Sequence, residues 1–259
     1  MEKILNEFID ICHNNFVNCN GDETTKSSEY ISLRTISKES IDVNKIGYCY
    51  KDQFIPNEIL FFGREEEDWG YRSQIAKKII LPVFAEFNNI VGFATHAPIM
   101  EKEYVWWNLS KPFYKGNHLF LLNKTRREIY DKNKVYLVEG YVDAILLYQH
   151  GLRNVAALMG TSLTQRKISL IMRYCNNICF CLDSDENQSG QNARDKSISI
   201  VDEFDFCDSI STIDLPIGED PASYVSKHGI ESLVENEQVL THKEILEIKR
   251  LVKSKSKKH

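Results

Sequence analysis

The chain has 259 residues, of which 42% are hydrophobic and 11% are aromatic, so it can bury one large core or two modest ones. Its net charge of −5 is not that of a protein whose whole surface binds nucleic acid. The seven cysteines form no C-x-x-C pair, which excludes a readable structural zinc site or disulfide framework and indicates reduced, buried thiols.

The N-terminal residues do not have the pattern of a targeting signal. The stretch MEKILNEFIDICHNNF has the apolar spacing of an amphipathic helix and carries acids, whereas a signal peptide has a basic start and a long apolar core. No apolar run elsewhere in the sequence reaches the length that spans a membrane. We therefore expect a cytoplasmic protein without a membrane partner.

The first half of the chain predicts helices followed by antiparallel strands. Residues 1–18 have a helical pattern, residues 19–29 are expected to be a polar linker, and Ser37 is placed to cap a short helix. The segment KIILPVFAEFNNIVGFATHAP then predicts two strands joined by a turn at Asn88 and Asn89. The stretch YVWWNLSKPFYKGNHLFLLN is aromatic and has no regular period.

The second half predicts a parallel sheet covered by helices on both faces. Four continuous apolar runs are separated by helical patterns; they are VYLVE, NVAALMG, NICFCLDSD and SISTIDLP. Such runs are typical of strands that are buried on both faces. Gly151 is expected to end the first helix, and Thr161, Ser162 or Thr164 is expected to cap the second.

The last eleven residues, KRLVKSKSKKH, hold six lysines or arginines and no acid. They form either an exposed basic tail with affinity for phosphate or a solvated, frayed end of the chain.

Acidic residues follow three of the four predicted parallel strands. Glu139 ends the first strand, and Asp143 comes one helical turn later. Asp183 and Asp185 follow the third strand, and Asp220 follows the fourth. Because the carboxyl ends of parallel strands share one edge of the sheet, we expect these side chains to meet there.

Each of these acids also has a structural explanation. Asp143 can interact with a helix dipole, Asp183 and Asp185 can be turn residues, and Asp220 can start a turn before Pro221. As a group, however, such carboxylates repel one another and raise each other's pKa unless a cation neutralises them. Hard oxygen ligands at an open edge suit Mg²⁺ or Mn²⁺, which also bind substrate phosphates. The pattern therefore predicts a divalent metal site that acts on phosphate esters.

The same residues resemble the Toprim fold, which DnaG-type bacterial primases share with type IA and II topoisomerases and small nucleases. The pattern is Glu139-Gly140 with Asp143, followed by Asp183-Ser184-Asp185. The wider resemblance, from about residue 30 to about residue 229, is to the DnaG-type primases. Four ordered blocks carry it: YISLRTISKESIDVNKIGY, KIILPVFAEFNNIVGFATHAP, NLSKPFYKGNHLFLL and VYLVEGYVDAILLYQHGLRNVAALMGTSLT.

This resemblance implies an α/β fold: a Toprim-type parallel sheet flanked by helices, a smaller N-terminal α/β lobe and a short helical C-terminus. We place an N-terminal helix and linker at 1–29, the N-terminal lobe of the primase core at 30–128, the Toprim domain at 129–216, and a helical segment with a basic tail at 217–259. Because no cysteine pair precedes residue 30, we expect no counterpart of the family's zinc-ribbon domain, and we expect its helicase-binding domain to be reduced to about the last thirty residues. We therefore expect a phage- or plasmid-encoded replication protein.

The resemblance also implies roles for individual residues. Glu139, Asp183 and Asp185 match the principal catalytic and metal-binding acids, and Asp143 and Asp220 match flanking acids of the metal site. Glu139 is open to a second role, as a proton acceptor. Four residues match positions that face nucleotide or template phosphates, although each has solvated surface as its alternative: Lys115, Lys78, Arg34 and Asn108.

Three places depart from the family pattern. His96 stands where the family has an arginine, which predicts a weaker or pH-dependent phosphate contact. Ala222 replaces the second aspartate of a D-P-D motif. Trp106 and Trp107 replace a Lys-Tyr-type pair and are open either to stacking on a template base or to packing in the core.

The implied activity is that of a DNA primase, a nucleotidyltransferase that copies single-stranded DNA into short RNA from ribonucleoside triphosphates with Mg²⁺ or Mn²⁺. The implied partners are a replicative helicase and a separate zinc-ribbon protein, in the cytoplasm of a bacterium or of a phage-infected host. A Toprim-type nuclease, with the same acids, and a non-catalytic DNA-binding accessory protein are the alternatives. A topoisomerase is disfavoured because the chain lacks room for a strand-cleaving tyrosine domain.

Overall fold

The computed structural model describes residues 2–18, 22–60, 75–97, 107–108, 114–160, 163–184, 189–204 and 206–256. The chain divides into two compact units, Met1–Lys115 and Gly116–His259. Within these described ranges, no helix is both long and apolar enough to cross a bilayer.

The first unit combines helices with an antiparallel sheet. The helices that the structure describes here are α1 (Glu2–Val17), α2 (Asp22–Leu33), α3 (Lys38–Asn44) and α4 (Asn57–Leu60). The strands are β1 (Gly47–Cys49), β2 (Lys78–Phe84), β3 (Ile90–His96) and β4 (Trp107–Asn108), which pair in this order, each antiparallel to its neighbour. A 3₁₀ turn, Lys115–Asn117, follows.

Helix α1 packs on this sheet through one apolar face, which confirms the helix predicted at the N-terminus. The ring of Phe8 lies 5.6 Å from the ring of Phe93 on β3. Gly47 permits a close approach to the helix, because a Cβ at this position would lie 2.6 Å from the backbone carbonyl carbon of Cys12. The buried residues of α1 recur at helical spacing: Leu5, Phe8, Ile9 and Cys12.

The polar linker predicted at 19–29 is wrong, because α2 begins at Asp22. The buried residues of α2 recur every three or four positions: Thr24, Ser27, and Tyr30 with Ile31. Two of these four buried residues are small and polar, so a hydrophobic period does not reveal the helix.

Two local predictions in this unit are confirmed. Ser37 caps α3, since its hydroxyl accepts a hydrogen bond of 3.1 Å from the backbone N–H of Ser40. Asn88 adopts φ 72° in the turn between β2 and β3, a conformation that asparagine tolerates better than most residues.

The second unit is a mainly parallel sheet flanked by helices, which confirms the predicted fold class. Its described strands are β5 (Lys134–Val138), β6 (Val155–Ala157), β7 (Asn177–Phe180), β8 (Ser209–Ile213) and β9 (Glu237–Val239), in the order β6-β5-β7-β8-β9. The first four are parallel, and β9 is antiparallel to β8. The helices are α5 (Leu122–Asp131), α6 (Tyr141–Gln149), α7 (Gln165–Ile171), α8 (Ser189–Val201), α9 (Pro221–Glu235) and α10 (His242–Ser256).

The core of this unit lies between the central strands and their helices. Leu137 of β5 and Phe180 of β7 are fully buried there, as the continuous apolar runs predict. Ile168, Ile198 and Ile245 bring α7, α8 and α10 into the same cluster. Helix α10 is therefore anchored to the body of the second unit.

Strand β9 lies inside the segment 217–259, which was predicted to be helical. Glu237 holds it in place: its carboxylate pairs with Lys134, accepts a 2.8 Å hydrogen bond from the hydroxyl of Tyr136, and accepts another from Ser211. These partners lie on β5 and β8, far away in the sequence, so a local pattern of three residues does not predict the strand.

The predicted helix ends of this unit are confirmed where the structure describes them. Gly151 adopts φ 103° after α6, and the N–H groups of Gly151 and Leu152 donate to the carbonyls of Tyr148 and Leu147 at 3.1 and 3.0 Å. Thr164 caps α7 by accepting from the N–H of Lys167 at 3.2 Å. The alternative caps lie outside the described residues; they are Thr161 and Ser162.

Candidate active site

The loops that leave the parallel strands are joined at one edge of the second sheet. The N–H of Ser184, after β7, donates to the carbonyl of Glu219, after β8, at 3.0 Å. The N–H of Gly218 returns a hydrogen bond of 2.6 Å to the carbonyl of Ser184. After β6, the N–H of Gly160 donates at 3.3 Å to the carbonyl of Glu139, which directly follows β5.

Glu139 and Asp183 meet at the first turn of α8. A Cβ added at Gly190 would lie 3.1 Å from Oε1 of Glu139 and 2.0 Å from the backbone oxygen of Asp183. The two distances together limit the separation of these oxygens to about 5.1 Å. Because any larger residue at position 190 would displace one of them, the glycine brings the exits of β5 and β7 together.

The negative charge of this edge also reaches the buried thiol of Cys181. Burial raises the pKa of Cys181, and nearby negative charges raise it further, those of Asp143 and Asp183 among them. Two of the predicted acids therefore act on the same thiol, although they lie forty positions apart in the sequence.

Asp143 and Asp220 both bind the N-terminus of α9. Asp220 is its N-cap: Oδ1 accepts a 2.6 Å hydrogen bond from the N–H of Ser223, whose hydroxyl accepts from the N–H of Asp220 at 3.1 Å. Oδ1 of Asp143 accepts from the N–H of Ala222 at 3.2 Å. Pro221, the first residue of the helix, has no N–H group. The two carboxylates therefore accept hydrogen bonds from the N–H groups of the second and third residues.

The edge therefore collects four of the five predicted acids: Glu139, Asp143, Asp183 and Asp220. Asp185 lies outside the described residues. Among the residues that the structure does describe, no group of three or more His, Cys, Asp or Glu side chains is arranged to hold a metal ion. The carboxylate oxygen of Glu139 and the backbone oxygen of Asp183, which both lie beside Gly190, are hard oxygen donors, and in this respect they fit a divalent cation.

A cavity of about 280 Å³ opens beside Asp183. Its lining includes Ser184, Gly190 and Gln191, which belong to the same edge, and Arg194 of α8. Arg194 forms ion pairs with Asp195, at 3.3 Å, and with Asp214. The lining is polar on this side and apolar elsewhere, where it is formed by Leu182, Ile213, Leu215 and Ile217.

Comparisons with known proteins agree with this geometry. Residues 136–225 match a family described as Toprim-like. The chain is 30% identical over 237 residues to a DNA primase of Clostridium acetobutylicum, a match that covers 84% of this chain and 38% of that protein. The second unit contains a Toprim-like domain, and the chain is a homologue of bacterial DNA primases.

The fold of the primase homologue is that of a DnaG-type catalytic core. A crystal structure of the Aquifex aeolicus primase, with zinc-binding and RNA polymerase domains, superposes with a TM-score of 0.76 at 22% identity, covering 96% of this chain and 65% of that one. A DnaG primase catalytic domain bound to single-stranded DNA superposes with a TM-score of 0.71 at 22% identity, covering 91% and 79%. The family implies a divalent metal ion as cofactor.

The chain spans less than half of the length of its curated relatives, since it covers 38% of the Clostridium acetobutylicum primase. Its match to the Toprim-like family lies wholly within the second unit. What the whole relatives do is therefore a proposal for this chain.

In the first unit of this primase homologue, two predicted phosphate-binding residues surround a buried histidine. The ring of His96 is 1% exposed and lies 4.4 Å from the ring of Tyr30, over which the guanidinium of Arg34 sits at 5.7 Å. Burial lowers the pKa of His96 to about 4, and the charges of Arg34 and Lys78 contribute. His96 is therefore neutral at pH 7. Of the two expectations for this position, a weaker phosphate contact or a pH-dependent one, a neutral ring favours the weaker contact.

The remaining predicted phosphate-binding residues lie near the end of the first unit. Lys115 is exposed at the start of the 3₁₀ turn. Asn108 lies on β4 opposite Ala94 of β3. The side chains of Asn108 and Trp107, and the whole of Trp106, fall outside the part of the chain that the structure describes.

Sequence reasoning missed two residues of the edge. Gly190 was not singled out, although a glycine at the start of a helix, directly after an acidic loop, is the signal of a close backbone approach. Lys167 is 2% exposed, and its ammonium group donates to the carbonyl of Leu158 at the exit of β6. No local signal marks Lys167, because a lysine on an amphipathic helix is expected to face solvent.

Proposed function

We propose that this chain is a DNA primase that synthesises short RNA primers on single-stranded DNA by Mg²⁺-dependent nucleotidyl transfer. The observation that carries the proposal is the meeting of Glu139 and Asp183 at Gly190, on the strand edge of a Toprim-like domain. The homology to DNA primases, over 84% of this chain for one relative, supports the same activity.

The acids of the edge divide into two groups in this proposal. Glu139, Asp183 and Asp185 would hold Mg²⁺, or Mn²⁺ in its place, because carboxylate oxygens are the ligands that these ions prefer. When bound, the ion lowers the pKa of a coordinated hydroxyl group and neutralises phosphate charge. Asp143 and Asp220 would flank the metal site and fix its frame, since each already binds an N–H group of α9.

The proposed substrates are a single-stranded DNA template and ribonucleoside triphosphates. Four residues of the first unit are assigned to phosphate contacts, where cationic and amide groups bind phosphate oxygens: Arg34, Lys78, Asn108 and Lys115. A similar solved core is bound to single-stranded DNA, which supports the template. A replicative helicase and a separate zinc-ribbon protein complete the proposed partners.

A primer-synthesis assay tests the activity. The protein is incubated with mixed-sequence single-stranded DNA, labelled ribonucleotides and Mg²⁺, with and without a replicative helicase. New short RNA would support primer synthesis. A shortened input strand would instead identify a nuclease, and binding without either product would identify a non-catalytic DNA-binding protein.

Substitutions at the edge test the site. We expect Glu139→Gln and Asp183→Asn each to lower the rate of synthesis on the order of 100-fold or more, because each would remove a proposed ligand of the metal ion. A factor of ten in rate corresponds to about 1.4 kcal/mol of transition-state stabilisation. Glu203→Gln, an exposed acid after α8, is the matched control. Activity close to that of the control would remove the substituted acid from the site.

Metal titration of the same variants separates the two roles of Glu139. If Glu139 is a ligand, Glu139→Gln should weaken Mn²⁺ binding as strongly as Asp183→Asn does. If Glu139 is the proton acceptor, Glu139→Gln should lose synthesis and keep its affinity for Mn²⁺.

A further inference from the structure

The second half of α10 and the residues that follow it in the sequence are rich in lysine and arginine, on a chain whose net charge is −5. Residues 249–258 hold six lysines or arginines and no acid. Lys249 forms an ion pair of 2.6 Å with Asp202, whereas Arg250, Lys253 and Lys255 are exposed. The positive charge is therefore presented to solvent near the C-terminal end of the helix.

The contacts of α10 fix the direction in which it runs along α8. Its buried Ile245 belongs to the core of the second unit. Lys249 reaches Asp202, which directly follows the last residue of α8. Lys255, six residues later, donates a 2.5 Å hydrogen bond to Oδ1 of Asn192, in the first turn of α8. The two helices are therefore antiparallel, and the basic end of α10 lies beside the start of α8.

The start of α8 is also where the acidic edge lies. Asn192 is two residues after Gly190, whose Cβ position is 3.1 Å from Oε1 of Glu139. With helical geometry and extended side chains, the ammonium group of Lys255 lies within roughly 16 Å of the Glu139 carboxylate. A stacked nucleic-acid strand has one phosphate per about 3.4 Å, so about five nucleotides bridge that distance.

Complementing the helix dipole accounts for only part of this charge. Lysines in the last turn interact favourably with the carbonyl end of a helix, and this effect falls off within that turn. It covers Lys253 and Lys255 but not Arg250, which lies before the last turn, on the exposed surface. Arg250 and Lys253, three residues apart, share one face of the helix, and Lys255 reaches toward α8 from another face. Exposed cations around this end of the helix, on an otherwise acidic chain, suit a polyanion.

We propose that Arg250, Lys253 and Lys255 form a binding surface for the phosphate backbone of the single-stranded DNA template, a few nucleotides from the acidic edge. The inference rests on the proposed function, because that function supplies the template strand. Lysine and arginine contacts to phosphate carry no base information, so the surface holds the strand regardless of its sequence.

The test measures DNA binding without catalysis. The triple variant Arg250→Gln, Lys253→Gln, Lys255→Gln is compared with the control Lys3→Gln, Lys132→Gln, Lys243→Gln, which removes the same charge from exposed lysines elsewhere. Fluorescence anisotropy follows binding of a labelled single strand of about 16 nucleotides, in EDTA and without nucleotides, over a series of salt concentrations.

We expect the triple variant to reduce the slope of log K against log salt by about 2, since each lost phosphate contact on a single strand is worth about 0.7. The control should keep the wild-type slope. Lys253→Gln alone should reduce it by about 0.7, which keeps the test decisive if the triple variant does not fold. Circular dichroism checks the fold of each protein.

A wild-type slope and affinity in the triple variant would overturn the proposal. The proposal would also be overturned if the triple variant lost affinity only for an RNA strand of the same sequence. That result would assign the surface to the RNA product instead of the DNA template. The measurement needs neither metal nor synthesis, so a protein that binds DNA through α10 and makes no primer would contradict the proposed function alone.

Discussion

Asp143 connects two helices that are far apart in the sequence. It is buried in the first turn of α6, and its Oδ1 accepts a hydrogen bond from the N–H of Ala222 in the first turn of α9. Its Oδ2 lies close to Gly140, where a Cβ would approach it to 2.4 Å. Asp143 therefore lies between the residue that follows Glu139 and the start of α9.

Two substitutions at this residue separate its hydrogen bond from its charge. We expect Asp143→Ala to lower the free energy of unfolding by about 1–3 kcal/mol, because the buried N–H of Ala222 loses its acceptor. Asp143→Asn keeps an acceptor oxygen and should lose less than about 1 kcal/mol. Urea denaturation measures both. Equal losses in the two variants would show that the charge, not the hydrogen bond, provides the stabilisation.

His96 makes the stability of the first unit depend on pH. Its pKa is lowered from 6.5 to about 4, so below pH 6.5 the unfolded chain binds a proton that the folded chain does not. The free energy of unfolding should therefore fall as the pH is lowered from 6.5 toward 4, by about 3 kcal/mol in total. Above pH 6.5 this contribution stays complete.

Urea denaturation at a series of pH values, on the wild type and His96→Gln, checks this expectation. The variant should lose the additional pH dependence, whereas His242→Gln, at an exposed histidine, should keep it. An NMR titration that gives His96 a pKa near 6.5 would contradict the assignment.

Among the elements, the start of α8 can lie close to Asp183 and Glu139 only because residue 190 is a glycine and has no side chain. We expect Gly190→Ala to lower primer synthesis and Mn²⁺ affinity at least as much as the loss of one acid does. The reason is that its Cβ would collide with the backbone oxygen of Asp183 at 2.0 Å. Both activity and metal titration measure the effect.

Gly151→Ala is the matched control for this glycine. Nothing lies within 4 Å of its added Cβ, but φ is 103°, so the substitution should lower the free energy of unfolding by about 1 kcal/mol and leave synthesis unchanged. If Gly190→Ala behaves like Gly151→Ala, the close approach at α8 does not serve the site.

The elements also show which sequence signals are sufficient and which are not. The buried parallel strands were predicted because their apolar runs are continuous, and the caps at Ser37 and Thr164 were predicted because capping depends on neighbouring residues. Helix α2 was missed because Thr24 and Ser27 take inward positions. Strand β9 was missed because the side chains that bind its Glu237, those of Lys134 and Tyr136, come from a distant part of the chain.

At the scale of the whole molecule, the proposed metal site lies in one unit, so bound metal should stabilise that unit. A ligand that binds only the folded state adds about 1.4 kcal/mol to the free energy of unfolding at ten times its Kd. We expect Mg²⁺ to raise the calorimetric unfolding temperature of the wild type. Where the units unfold separately, only the transition of Gly116–His259 should shift.

The variant Glu139→Gln, Asp183→Asn should lose this metal-dependent shift, and KCl at matched ionic strength controls for screening. An equal shift in the wild type and the variant would place the stabilising metal elsewhere.

The sequence by itself determined the parallel sheet and the edge at which its acids gather. Apolar runs and the residues that follow them are local features, and parallel strands share their carboxyl edge whatever the rest of the fold does. Tertiary structure alone decided that Gly190 joins Glu139 to Asp183, that Asp143 binds the start of α9, and that the basic end of α10 lies beside α8. Each of these depends on the packing of segments that are distant in the chain, about which local periodicity carries no information.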